Sequence, residues 1–149
     1  ISGDKIGGSR FYGVLDRVDV SIGDLKPAKV FLLIGVNNII YWDVPPLEMR
    51  RGYESLLARI RDVYPDGPLY AQTLLPLRGQ FAQHIPEVLQ FNEFLKETAP
   101  KHGAILLDTY PAFLDGQDEL KEEFTKDGLH LTEEGYARWR EILLPLMQK

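Results

Sequence analysis

Three short apolar runs constrain this chain more than any other feature. "KVFLLIGV" (29–36), "PLYAQTLL" (68–75) and "GAILLDTY" (103–110) all lack the polar alternation of a strand with one wet face. They are too short for buried helices and read as strands covered on both sides. Between the first two, "PPLEMRRGYESLLARIRDVYP" sets Met49, Tyr53, Leu56, Leu57, Ile60 and Val63 on one stripe at helical spacing. "PEVLQFNEFLKETAPK" repeats the pattern with Val88, Phe91, Phe94 and Leu95. A last stretch, 133–148, places Tyr136, Trp139, Leu143 and Met147 on one face. Thr132 is its expected N-cap, and Glu133 and Glu134 suit the positive end of the helix dipole. Upstream, residues 9–25 carry a weaker helical pattern. Strands alternating with helices imply parallel pairing and right-handed crossovers. The expected fold is α/β: a single domain over 1–149, built as a three-layer α/β/α sandwich around a flavodoxin-like parallel sheet.

Composition narrows the function. Seventeen basic against 22 acidic residues leave a net charge of −5, with no basic run. That balance argues against nucleic acid or an anionic membrane as partner. The chain has no cysteine, which excludes disulfides, thiolate metal sites and a Cys nucleophile. No apolar run approaches the roughly 20 residues of a membrane-spanning helix, and no signal peptide is visible in the sequence. His84, His102 and His130 match no metal-ligand spacing, so no metal is expected. The lack of a Gly-rich loop at a strand end argues against a nucleotide or flavin binder, and no cofactor is expected. Oligomeric state and compartment are not encoded in these features.

In a parallel sheet, ligands sit beyond the carboxyl ends of the strands. "GVNN" (35–38) follows the first strand, and "DGLH" (127–130) follows the third. A turn can bring Asp127 and His130 together, three positions apart, with Gly128 relaxing the backbone between them. The carboxylate then fixes the imidazole tautomer and leaves the second ring nitrogen as a base. Taken alone, the same residues describe an ordinary capping turn. The Asn37 amide can donate to a developing oxyanion, or it can occupy a polar turn. Gly3 in "ISGD" can let a backbone N–H approach a ligand closely, or it can belong to a frayed terminus. Asn38, Tyr41, Trp42 and Arg78 fall near the same edge and are candidate substrate contacts.

Taken together and in this order, "ISGD", "LLIGVNN" and "DGLHLTEEGY" resemble the blocks of the SGNH hydrolases, the GDSL esterase/lipase family. The resemblance spans essentially the whole chain, and its most specific part is DGLH leading into a terminal amphipathic helix. It implies hydrolysis of a carboxylic ester through a Ser-His-Asp triad. Asp127 and His130 would be its acid and base, and Gly3 N–H and the Asn37 amide its oxyanion donors. The substrate implied is a small ester, such as an acetylated sugar or a lipid. Asn38 stands where the family usually has Asp, which should alter the support of the loop rather than the oxyanion contact. The family's serine lies in a GDS block ahead of the ISGD-like one. Ser2, Ser9, Ser21 and Ser55 do not fit that block, and Lys5 stands where "SGDK" would need a serine. The nucleophile, with the first strand of the sheet, is therefore expected in a natural segment upstream of Ile1. The alternative is a non-catalytic relative that binds carbohydrate or acyl ligands.

Overall fold

The computed structural model describes residues 14–149. It opens on a π-helical turn, Asp19–Asp24, within the stretch of weaker helical pattern. Strands β1 (Val30–Leu32), β2 (Leu69–Gln72) and β3 (Ile105–Leu107) follow. Between and after them lie helices α1 (Val36–Ile40), α2 (Pro46–Val63), α3 (Ile85–Thr98) and α4 (Glu133–Met147). Among the described residues the sheet has three strands in the order β1-β2-β3, all parallel. Val30 pairs with Leu69, and Tyr70 with Ile105. All strand-to-strand connections are therefore crossovers, as the alternation of patterns predicts.

Every residue of β2 is buried, as expected for a strand covered on both sides. Alternation along the strands separates the two faces. Val30, Leu32, Leu69 and Ala71 face the main core, with Met49, Tyr53, Leu56, Leu57 and Ile60 of α2 and Val88, Phe91 and Leu95 of α3. These helix stripes are the ones the sequence predicts. On the other face, the Phe31 and Tyr70 rings stack with centroids 4.7 Å apart. There α4 crosses the sheet, where Trp139 Nε1–H donates to Gln72 Oε1 at 3.0 Å and Lys29 reaches the Leu146 carbonyl. The layers are thus α/β/α.

Two expectations change. Among the described residues β3 is an edge strand, and Ile105 is exposed rather than covered on both sides. The apolar face of α4 is only partly closed: Trp139 and Leu143 are half-buried, whereas Tyr136 and Met147 are exposed. The cap is as predicted, with Thr132 Oγ1 accepting from Gly135 N–H at 3.3 Å.

Two polar groups in the core hold the carboxyl ends of the strands. Asn92, buried within the stripe of α3, clasps the chain just past β2. Its Oδ1 accepts from Leu74 N–H at 2.7 Å, and its Nδ2 donates to Leu74 O at 3.0 Å. Thr73 Oγ1 accepts from the N–H groups of Thr109 (3.0 Å) and Tyr110 (3.2 Å), joining the chain after β2 to that after β3. Truncating Asn92 would leave a buried donor and a buried acceptor unmade, at about 1–3 kcal/mol each before relaxation. Asn92→Ala is therefore expected to lower the urea midpoint by the equivalent of about 3 kcal/mol at unchanged m-value, and equilibrium denaturation measures it.

Candidate active site

The loop carrying "DGLH" is built by its own side chains. An antiparallel bridge between Thr125 and Leu131 closes it. Inside, Thr125 Oγ1 accepts from Gly128 N–H at 2.9 Å and donates to His130 O at 2.8 Å. Asp127 Oδ1 accepts from Leu129 N–H (2.9 Å) and His130 N–H (2.8 Å), an Asx-type turn that orients the carboxylate. The other oxygen, Oδ2, lies 2.6 Å from His130 Nδ1. Gly128 makes the turn possible. Its φ is +92°, and a Cβ there would sit 2.1 Å from the Arg78 carbonyl oxygen.

The Asp127 contact occupies Nδ1 and leaves Nε2 as the nitrogen available to a reacting group. Partial burial pushes the Asp127 pKa up, but hydrogen bonds from the His130 ring and from the two backbone N–H groups outweigh it. The carboxyl is held well below the usual carboxylate range. His130 is 74% exposed and Asp127 47% at the side chain, so the pair is open to solvent on one side.

Where β1 ends, Gly35 at φ +129° turns the chain into α1, and a Cβ there would meet Met49 Cε at 2.9 Å. "GVNN" is therefore not a plain loop. Asn37 and Asn38 lie in a one-turn helix, Val36–Ile40. Asn37, Asn38, Trp42 and His130 line a single cleft of about 320 Å³. Its remaining walls are mainly apolar and include Leu75, Leu77, Leu129, Tyr136 and Trp139. Asn38 is buried to 2% exposure, and its Nδ2 has no hydrogen-bond partner among the described residues.

The other candidates fall elsewhere. Tyr41 is exposed and packs edge-on to Phe81, with centroids 6.5 Å apart, outside the cleft lining. Arg78 is also outside that lining; its guanidinium is engaged by Asp115 at 2.8 Å. Gly3 lies outside the described residues, as do Ser2 and Ser9. Ser21 sits on the π-helical turn and Ser55 on α2, and neither lines the cleft. Among the described residues no group of three or more His, Cys, Asp or Glu could hold a metal ion. The reading by residue type missed the Leu75–Leu77 wall, although its signal was present: the apolar run beginning at Pro68 continues past the end of β2.

A carboxyl held low by its folded-state contacts stabilises the fold while it is ionised and the unfolded carboxyl is too. That contribution is full above the ordinary pKa of about 4 and is lost as acid protonates the folded group. Asp127→Asn keeps an oxygen for the two backbone N–H groups but loses the charge. It is expected to be less stable than the parent above about pH 4, by no more than about 1 kcal/mol because solvent screens a half-exposed pair. The gap should close at lower pH, and thermal unfolding across a pH series checks this.

Comparison with known proteins bears on the same residues. No match was found among curated protein sequences. Among solved structures, one assigned as a platelet activating factor from Streptococcus pneumonia superposes with a TM-score of 0.81 at 26% identity, covering 93% of this chain and 68% of the other. A GDSL-like lipase from Bacteroides thetaiotaomicron gives 0.78 at 19% identity, covering 95% and 72%. A carbohydrate esterase of family 3 from Talaromyces cellulolyticus gives 0.75 at 15% identity, covering 95% and 68%. The sequence profile of the GDSL-like Lipase/Acylhydrolase family matches residues 1–138, a span that contains the GVNN helix and the Asp127–His130 turn. With that match over most of its length, the chain belongs to the GDSL-like Lipase/Acylhydrolase family.

Proposed function

We propose that this protein hydrolyses carboxylic esters through an acyl-enzyme, with Asp127 and His130 as the acid–base half of a Ser-His-Asp triad. The observation that carries this reading is the 2.6 Å contact between Asp127 and His130, on a cleft whose wall also holds Asn37. In this scheme His130 takes the proton of the attacking serine and returns it to the leaving alcohol. Asp127 holds the ring in the required tautomer and stabilises the imidazolium. The Asn37 amide and Gly3 N–H donate to the oxyanion of the tetrahedral intermediate. The scheme calls for a serine nucleophile, and neither Ser21 nor Ser55 lines the cleft. The scheme needs no cofactor or metal. The apolar walls give the acyl or alcohol group of an ester a surface to lie against, and Trp42, just past α1, is one of the aromatics on that lining. Lipid-like esters and acetylated sugars are the substrate classes in keeping with the family and with the proteins it resembles.

A serine-directed fluorophosphonate tests this on the protein expressed from its full reading frame. Labelling is expected, together with hydrolysis of p-nitrophenyl esters. His130→Ala should lower kcat by at least about a thousandfold. Asn37→Ala should lower it about a hundredfold or more with KM little changed, the usual loss for one oxyanion donor. A folded protein that resists labelling and leaves esters intact would be a ligand-binding relative instead.

A further inference from the structure

Arg78 does not face the cleft, yet it touches the loops that frame it. Its backbone N–H donates to Gly128 O at 2.9 Å. The Gly128 Cα is so close to the Arg78 carbonyl that a side chain could not be inserted between them. The Arg78 side chain points the other way. Nη1 donates to Asp115 Oδ2 at 2.8 Å and to Leu120 O at 3.2 Å and lies 3.6 Å from Glu119, while Nη2 lies 4.0 Å from Glu122. Leu120 N–H in turn donates to Leu77 O at 3.0 Å.

The receiving carboxylate is itself braced. Asp115 Oδ1 accepts from Gln117 N–H (2.8 Å) and Glu119 N–H (3.0 Å) in a loop closed by the Leu114–Leu120 bridge. The Arg78 and Asp115 side chains are 28% and 22% exposed, so solvent screens this pair less than a surface one. Residue 78 is thus the meeting point of three segments: the chain after β2, the loop at 114–120 and the turn at 125–131.

We propose that Arg78 is a positioning residue for the Asp127–His130 pair: its ion pair with Asp115 fixes the backbone on which Gly128, and with it the acid–base turn, is seated. The inference adds to the esterase reading, and its effect on turnover rests on that reading; the immobilisation of the turn does not. A small displacement of a reacting group can cost about a hundredfold in rate. The side chain therefore affects chemistry without touching substrate.

Amide hydrogen exchange and ester kinetics on Arg78→Ala, Arg78→Lys, Asp115→Ala and the Arg78→Ala/Asp115→Ala double variant test it. In Arg78→Ala, exchange at Gly128, Leu129 and His130 should rise about tenfold or more. Exchange at Tyr70 and Ala71 in the central strand should change about twofold at most. On esters, kcat should fall about 10- to 100-fold with KM unchanged. Asp115→Ala should behave alike, the double variant no worse than either single one, and Arg78→Lys should recover part of both effects. Unchanged exchange at 128–130, or an increase shared equally by the central strand, would overturn the proposal. A rise in KM at preserved kcat would also overturn it, by making Arg78 a substrate contact. If the parent protein proves inactive on esters, the exchange pattern alone decides the matter, so the two readings fail separately.

Discussion

Parallel pairing of β1, β2 and β3 delivers all three carboxyl ends to one edge of the sheet, and the site depends on that alignment. The register is held by more than the strand ladder. Thr73 ties the chain leaving β2 to the chain leaving β3, and Asn92 clasps Leu74 from α3. Both groups are buried, so each hydrogen bond they make also removes the cost of an unmet polar group in the core. The segment from Leu74 to Arg78 consequently leaves the sheet in a defined direction, and both walls of the cleft are placed relative to it.

Beyond the strands, the arrangement becomes a matter of backbone against backbone. The turn that holds Asp127 and His130 makes most of its hydrogen bonds to itself, so its internal shape is local. Its location is not. That comes from the Arg78–Gly128 contact, from Thr132 N–H donating to Phe124 O at 2.9 Å, and from the small cluster of Phe113, Leu120 and Phe124 beneath it. The division explains how the Asp127–His130 pair can be largely open to solvent and still hold a 2.6 Å contact. The turn is cross-linked within itself by hydrogen bonds and is anchored by groups less exposed than its own side chains.

The cleft joins this exposed pair to an apolar wall. Leu75, Leu77, Leu129, Tyr136 and Trp139 come from three separate segments, and Asn37 and Asn38 come from a fourth. Polar groups gathered on one side of an apolar hollow act more strongly than in water, because less solvent competes with them. Asn38 illustrates the cost of such a place: its Nδ2 is buried without a partner among the described residues, in the helix turn that presents Asn37.

Much was legible before any fold existed. Continuous apolar runs marked the three strands, 3.6-residue stripes marked α2 and α3, and the Thr132 cap marked the start of α4, because these patterns are set by local geometry and by which faces meet water. The Asp127–His130 turn was legible for the same reason, since partners three residues apart need only a turn to meet. The short α1 was hidden, because five residues carry no period. β3 was read as covered on both faces, whereas Ile105 is exposed among the described residues, since an apolar run does not say which strand lies at the edge of the sheet. Arg78 was only a candidate substrate contact, from its position after β2. Its actual partners, Asp115 and Leu120, lie about forty residues further along. Sequence alone therefore marked the three strands, the three longer helices and the candidate residues for chemistry. Tertiary structure alone decided which of them share the cleft, because contacts between distant segments depend on strand order, strand ends and side-chain direction, none of which leaves a local pattern in the chain.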